Sequence, residues 1–341
     1  MNVFVFAILL MVTNFFNANY YGTPVIPITL LMCCIFFYAL LLHNILDNGI
    51  IIRAIYGMAV GCIMMSILFV LGIGIEFSDD SRLLMFGENS NALGVYMSLG
   101  ATIIFCNWIL RDDLKMKGFR YLWIVAYIPI AILLFATGSR TSFLSFILTF
   151  IICVFGFRPK QVRRKLIVAM FSIILGFVMY NVLLNSEFVI LQRLLETAED
   201  GNLSGRDVIW AKLWPYVEKH ILLGVGETGY VEISREALGA AMVPGGTTYG
   251  YSPHNVLLEL ILYTGVWGLI LFLWFWLKNF HCALVAYRAS SKILPILLIV
   301  PIVGCILSGQ ILTAKWAYLI YAYVIATGTK NKGYPLCKNV I

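Results

Sequence analysis

Long apolar runs, separated by short polar stretches, follow one another along nearly the whole chain. Ten of them sit at about 2–17, 25–43, 53–75, 91–110, 121–137, 141–157, 166–184, 254–277, 293–309 and 313–328. A helix needs roughly 20 apolar residues to cross a bilayer, and these runs are of that order. The pattern therefore predicts an all-α polytopic membrane protein with about ten transmembrane helices. One interval breaks it. Residues 185–253 crowd charges, Gly, Pro and Ser together between two spans. We read the chain as a single integral membrane domain, 1–341, with 185–253 as one large loop inside it. The first run lacks a basic stretch before it and a small-residue cleavage site after it, so it reads as a span rather than a removed signal peptide.

Composition agrees. Hydrophobic residues make up 61% of the chain, charged residues 12%, and the mean hydropathy is +0.90. The net charge of +7 would suit nucleic acid, but its distribution does not. The basic residues gather in short loops such as 111–120 and 158–165, and short basic loops mark the cytoplasmic side. With those two loops inside, alternation puts 16 Lys and Arg on the cytoplasmic face and eight outside. Both termini then face the cytoplasm, and the 185–253 loop lies outside. That loop carries nine acidic residues against five basic ones, so each of its arginines needs its own explanation. None of the eight cysteines lies in it, and most fall within apolar spans, which argues against a disulfide framework. No Cys/His spacing suggests zinc.

Candidate chemistry clusters at the outer mouth. Gly201-Asn202-Leu203-Ser204-Gly205 breaks the chain, and Ser204 with Asp207 three residues on predicts a helix start. Arg206 falls in its first turn, where the macrodipole disfavours a cation. A guanidinium beside unpaired N–H groups forms an anion-binding corner; a surface pair with Asp207 or Glu199 is the plainer use. Pro215 should kink or end this helix, and Val208, Leu213, Val217 and Ile221 are its expected apolar face. Arg193 lies in the same loop and could replace or join Arg206. Gly224-Val225-Gly226 is a lone Gly-x-Gly, better suited to a tight turn than to a nucleotide. Residues 244–251, Tyr249 among them, are rich in hydroxyls and aromatic rings, which suit sugar contact and ordinary loops equally.

His254 and Asn255 open the eighth span. A His there can titrate near neutral pH and serve as a base for a hydroxyl nucleophile, or simply cap the helix. Glu259, one turn further in, should face the protein interior. Thr137-Gly138-Ser139-Arg140-Thr141-Ser142 is a second polar corner, with Arg140 at the outer mouth as an anion clamp or a lipid-headgroup contact. Lys315 is a weaker cation of the same kind.

These residues together resemble the O-antigen ligase and O-antigen polymerase superfamily. The resemblance rests on Ser139-Arg140, Gly205-Arg206-x-x-x-Trp210, Gly224-Val225-Gly226, His254-Asn255 and Gly265-x-x-Gly268, in that order and on that side of the membrane. An Asn-rich approach to an earlier span, residues 88–93, is similar too. The resemblance implies a C-type glycosyltransferase-like bundle in the bacterial cytoplasmic (inner) membrane. It implies transfer of a glycan from undecaprenyl pyrophosphate to an acceptor hydroxyl, on another repeat unit or on lipid A-core, with neither metal nor nucleotide sugar. Arg140 and Arg206 would neutralise the pyrophosphate, and His254 would activate the acceptor or help hold the phosphate. Arg193, Asn255, Glu259, Lys315 and Tyr249 would contact substrate. A chain-length regulator or a flippase is the kind of protein partner implied. The competing classes are a transporter of lipid-linked sugars and a non-catalytic partner in polysaccharide export. The first predicts paired repeats, and no internal repeat is evident.

Overall fold

A computed structural model describes residues 2–16, 26–47, 49–77, 83–110, 120–155, 206–238, 240–242, 248–250, 253–290, 292–306 and 311–329. The expected span 166–184, the stretch containing Arg193, and Ser204 lie outside the described residues. What is described is helical apart from two small hairpins. Helices α1 (Asn2–Phe16), α2 (Ile26–Leu46), α3 (Ile50–Val70), α4 (Ser90–Leu110), α5 (Arg120–Ala136) and α6 (Arg140–Phe155) follow the first six apolar runs closely. Then come α7 (Arg206–His220), α8 (Gly226–Leu238), α9 (Val256–Ser290), α10 (Leu294–Cys305) and α11 (Lys315–Thr329). By length and composition alone α2, α3 and α9 are long and apolar enough to cross a membrane. The hairpins, β1 (Ile75–Phe77) with β2 (Leu83–Met85) and β3 (Ala240–Met242) with β4 (Thr248–Gly250), are antiparallel and fall in loops. They were not expected from the apolar pattern, which three-residue strands are too short to show.

The chain divides into two compact units, described separately. The first comprises Met1–Ile51, Leu203–Ala289 and Cys305–Ile341. Here α2 packs along α11, and α1 packs on α2 and α8. The core is aromatic. Phe275 lies edge-on to Tyr321 at 4.9 Å and to Phe37 at 6.0 Å, and Phe6 of α1 meets Phe272 at 5.8 Å. Buried phenols need partners in an apolar interior. Trp276 donates to the Tyr321 hydroxyl at 2.7 Å, and the Tyr318 hydroxyl donates to the Leu312 carbonyl at 2.8 Å.

The second unit comprises Ile52–Asn202 and Ser290–Gly304. Its centre is α4, which packs on α5 and α6. Small residues set the close approaches, as membrane helices require. A Cβ on Gly100 would meet Cys62 of α3 at 2.5 Å, and one on Gly304 would strike the Ser145 hydroxyl of α6. Ser145 returns its own proton to the Thr141 carbonyl, which hides the hydroxyl within the helix.

Helix α9 is not continuous. Gly265 has φ 67° and ψ −166°, a conformation that breaks the helical path and that only glycine adopts at low cost. The segment before the break is covered by protein: Val256, Leu258, Leu260, Leu262 and Tyr263 are all buried. After it, Trp267, Ile270, Trp274 and Leu277 are exposed at helical spacing and form one apolar stripe. The expected span 254–277 therefore falls within one longer helix of spanning length, Val256–Ser290, that changes character at Gly265. The stripe suited to lipid begins at Trp267, and the helix runs on to Ser290.

Candidate functional site

The first unit holds Arg206, His254, Asn255, Glu259 and Lys315, and the second holds Arg140. Helix α7 begins at Arg206, two residues after the expected cap. It runs through Pro215 to His220, so the proline does not end it. Leu213 and Val217 are buried at 0% and 2% exposure, whereas Val208 and Ile221 are about half exposed. The expected face was wrong at those two positions. Val208 sits five residues from Leu213, about 140° around the helix. The buried stripe is instead Arg206, Trp210, Leu213 and Val217, spaced four, three and four residues apart, and Arg206 and Trp210 are half-buried. The burial that docks α7 thus brings its first-turn arginine to the inward side.

The indole of Trp210 donates to the Pro253 carbonyl at 2.8 Å. Pro253 precedes His254, whose φ is +49°. That left-handed conformation is uncommon outside glycine, though His and Asn tolerate it better than most. The next residue ends the turn. The Asn255 side-chain oxygen accepts from the Leu257 and Leu258 N–H groups at 3.0 and 3.3 Å, an N-cap that starts α9. The Val256 N–H donates to the Ile306 carbonyl at 2.9 Å. His254 and Asn255 remain half-exposed above this anchored start.

Glu259 is buried at 8% exposure, as its depth along α9 requires. It lies close enough to Tyr230 of α8 that its charge, after burial itself, pushes the Tyr230 phenol well above its ordinary range; a hydrogen bond with Ser234 works against both. The Tyr230 ring meets Tyr263 edge-on at 5.4 Å. One turn earlier in α8, the Glu227 carboxylate accepts from the Ile26 N–H at 2.8 Å and so caps α2. That contact, between a loop helix and a spanning helix, has no sequence signal. Pro27 follows at the position where a helix tolerates it best.

The Gly-x-Gly pair has a use that the sequence did not reveal. Gly224 and Gly265 both have φ of +67°, and their backbones touch. A Cβ on Gly224 would come within 2.5 Å of the Thr264 nitrogen, and one on Gly265 would strike the Leu222 carbonyl. Hydrogen bonds close the junction: Val225 N–H to the Leu262 carbonyl and Val266 N–H to the Ile221 carbonyl, both 2.7 Å. The turn after α7 thereby satisfies groups freed by the break in α9. Gly268, the last residue of Gly265-x-x-Gly268, makes room for Thr264 and for Phe6 of α1. Beside this junction a pocket of about 590 Å³ is lined by Leu9, Val12 and Thr13 of α1 and by residues 218–224.

In the second unit Arg140 is the first residue of α6 and half-exposed. The turn before it is built tightly. Gly138 has φ +63°, the Thr137 hydroxyl donates to the Leu134 carbonyl at 2.7 Å, and the Ser139 and Ser142 hydroxyls share a hydrogen bond of 2.8 Å. The turn rests on Gly94 of α4, where a Cβ would come within 2.8 Å of Ser139. Asn89 caps the Asn91 N–H at 2.8 Å at the start of α4. The Asn-rich approach therefore begins the helix on which the arginine turn sits.

The remaining expected site residues are more distant in kind. Lys315 opens α11 and is exposed. Near it the Cys33 thiol of α2 donates to the Thr313 carbonyl at 3.4 Å. Tyr249 lies in β4, paired with Ala241. Arg193 falls outside the described residues.

Residues 124–273 match the family model described as O-antigen ligase. That segment of the chain is similar to the O-antigen ligases. It runs from within α5 to within α9 and includes Arg140, Arg206, Trp210, His254 and both glycine motifs, so the resemblance to the O-antigen ligase and polymerase superfamily holds. No curated protein matches the chain. The family match over residues 124–273, together with helices of spanning length, supports a membrane protein similar to the O-antigen ligases.

Proposed function

We propose that this protein is a metal-independent glycosyltransferase of the outer face of the bacterial cytoplasmic membrane. It takes a glycan from undecaprenyl pyrophosphate and joins it to an acceptor hydroxyl, as a polymerase extending a repeat-unit chain. The observation that carries the reading is the Trp210–Pro253 hydrogen bond. It ties the helix that begins at Arg206 to the residue before His254, so a fixed cation and a candidate base belong to one local assembly.

The chemistry follows. The acceptor oxygen attacks the anomeric carbon of the donor sugar, the bond from that carbon to the phosphate oxygen breaks, and undecaprenyl pyrophosphate leaves with the bonding pair. His254 takes the acceptor proton. A pyrophosphate is already a good leaving group, and the guanidinium fork at Arg206 matches its oxygens as charge develops; Arg140 is proposed for an anion-binding role on the motif resemblance alone. A preorganised donor at such a position contributes a few kcal/mol to the barrier, about 10²–10³ in rate. Asn255 sets the helix that presents His254. Arg193, Glu259, Lys315 and Tyr249 are proposed substrate contacts. Polymerase is favoured only slightly over ligase, on the ground that no stretch of the sequence is dedicated to a lipopolysaccharide core.

Deleting the gene and complementing it with wild type, Arg206→Ala, Arg140→Ala and His254→Ala tests the reading on gels of surface polysaccharide and lipid-linked intermediates. Single repeats in place of a ladder mark a lost polymerase. Long glycan retained on the carrier, with bare lipid A-core, marks a ligase instead. Full complementation by all three variants removes the catalytic site and favours transport or a scaffold.

A further inference from the structure

The conformation of His254 needs an explanation, and α7 supplies it. Among the described residues only Phe86 and His254 combine a side chain with a positive φ. Such strain persists only where neighbours over-determine it. At His254 they do. On one side Asn255 caps α9 and the Val256 N–H is held by the Ile306 carbonyl. On the other, the peptide entering His254 is gripped through the Pro253 carbonyl by the Trp210 indole. Pro253 is buried, and its nitrogen has no proton to offer, so its carbonyl is the one main-chain polar group through which this residue can be held. Trp210 is itself fixed, since it lies on the stripe with buried Leu213 and Val217.

The geometry assigns Trp210 as a positioning residue for the transferase reaction: its N–H holds the Pro253 carbonyl and so aims the imidazole of His254. This rests on the reading of His254 as the base. It also gives a physical reason for the spacing Gly205-Arg206-x-x-x-Trp210. Four residues place the arginine and the indole one turn apart on the same face, so the group proposed for the pyrophosphate and the group that sets the base are carried on one rigid element. An error of about 1 Å in the position of a reacting group can cost 10²-fold in rate, so a hydrogen bond that fixes a strained turn is worth more to turnover than to folding.

The test replaces Trp210 by β-(3-benzothienyl)alanine, which keeps the shape and loses the N–H, and by 7-azatryptophan, which keeps both; Trp210→Phe is the ribosomal counterpart. Purified protein in nanodiscs turns over a lipid-linked glycan. The benzothienyl protein should lose about 10- to 100-fold in kcat, with KM for the donor within about twofold and an unchanged Tm. The azatryptophan protein should keep wild-type turnover. On the residual activity of His254→Ala, the benzothienyl exchange should cost nothing further, because both changes remove one function. Wild-type kcat without the N–H overturns the assignment, as does a full additional loss in the His254→Ala background. Wild-type turnover by His254→Ala itself overturns the reading of His254 as the base, an outcome separate from failure of the Trp210 exchange alone.

Discussion

His220 ends α7 beside the pocket and shows how a single residue reports its surroundings. Burial lowers its pKa from the ordinary 6.5, and the adjacent Lys219 lowers it further. The folded protein therefore prefers the neutral ring. Above pH 6.5 the unfolded chain is neutral there too, and the residue leaves stability unchanged. As pH falls below 6.5 the unfolded chain takes the proton first, so stability is lost until the folded pKa is passed, where the loss levels off. Melting in nanodiscs at several values between pH 8 and pH 5 should show a smaller acid loss for His220→Gln than for wild type. Equal losses would mean that the imidazole is as well solvated folded as unfolded. Other residues were legible from sequence for simple reasons. Glu259 is buried, as expected of a carboxylate one turn inside an apolar helix, whereas the cap expected at His254 is made by Asn255, whose short amide reaches two N–H groups. The indole contact of Trp210 was not legible, because its partner is 43 residues away.

At the scale of elements, the junction between the α7–α8 turn and broken α9 is the part most sensitive to one atom. Gly265→Ala would force a side chain into a conformation costing about 1–3 kcal/mol and drive its Cβ into the Leu222 carbonyl. Overpacking adds about 1–3 kcal/mol more. The variant should melt several degrees lower or fail to accumulate. Gly61→Ala in α3, where nothing lies within 4 Å of the added Cβ, should melt at or slightly above wild type. Equal melting for the two variants would mean that α9 is not held at this contact. The positions of the helices were readable from apolar runs, since each run must satisfy its own backbone in lipid. The break was not, because a Gly inside an apolar stretch occurs both in straight and in broken helices.

For the whole molecule, the change along α9 predicts where the outer bilayer surface lies. Helix α7 reaches Pro253 through Trp210, and the turn after it meets residues 262–266 of α9; the helix carries Arg206, Asp207, Lys212, Glu218 and Lys219. Five charged residues on a neighbouring helix do not belong in hydrocarbon. The lipid-facing stripe starts at Trp267, an aromatic of the kind that collects at the interface. From Val266 to Ser290 there are 25 residues, about 37 Å of helix, enough to cross a core of about 30 Å. In cells, an impermeant thiol reagent added from outside should label single cysteines at positions 257 and 261 and spare those at 270 and 274. Labelling of all four, or of none, would place the surface elsewhere and lower or raise the candidate site with it. The same experiment checks the orientation drawn from the basic loops.

By itself the sequence determined that this is a helical membrane protein, roughly where its helices run, and which motifs resemble the O-antigen ligase and polymerase superfamily. Those properties are local, set by runs of apolar side chains and by short spacings that one element can satisfy alone. Tertiary structure decided what the motifs do. Only the folded chain sets Gly224 against Gly265, rests the Arg140 turn on Gly94, caps α2 with Glu227 and fastens the residue before His254 to Trp210. Each is a contact between positions tens to hundreds of residues apart, made where a missing Cβ or a single donor leaves room for just one partner. Apolar periodicity carries no record of such pairings, because lipid asks the same of every spanning helix whichever neighbour it meets.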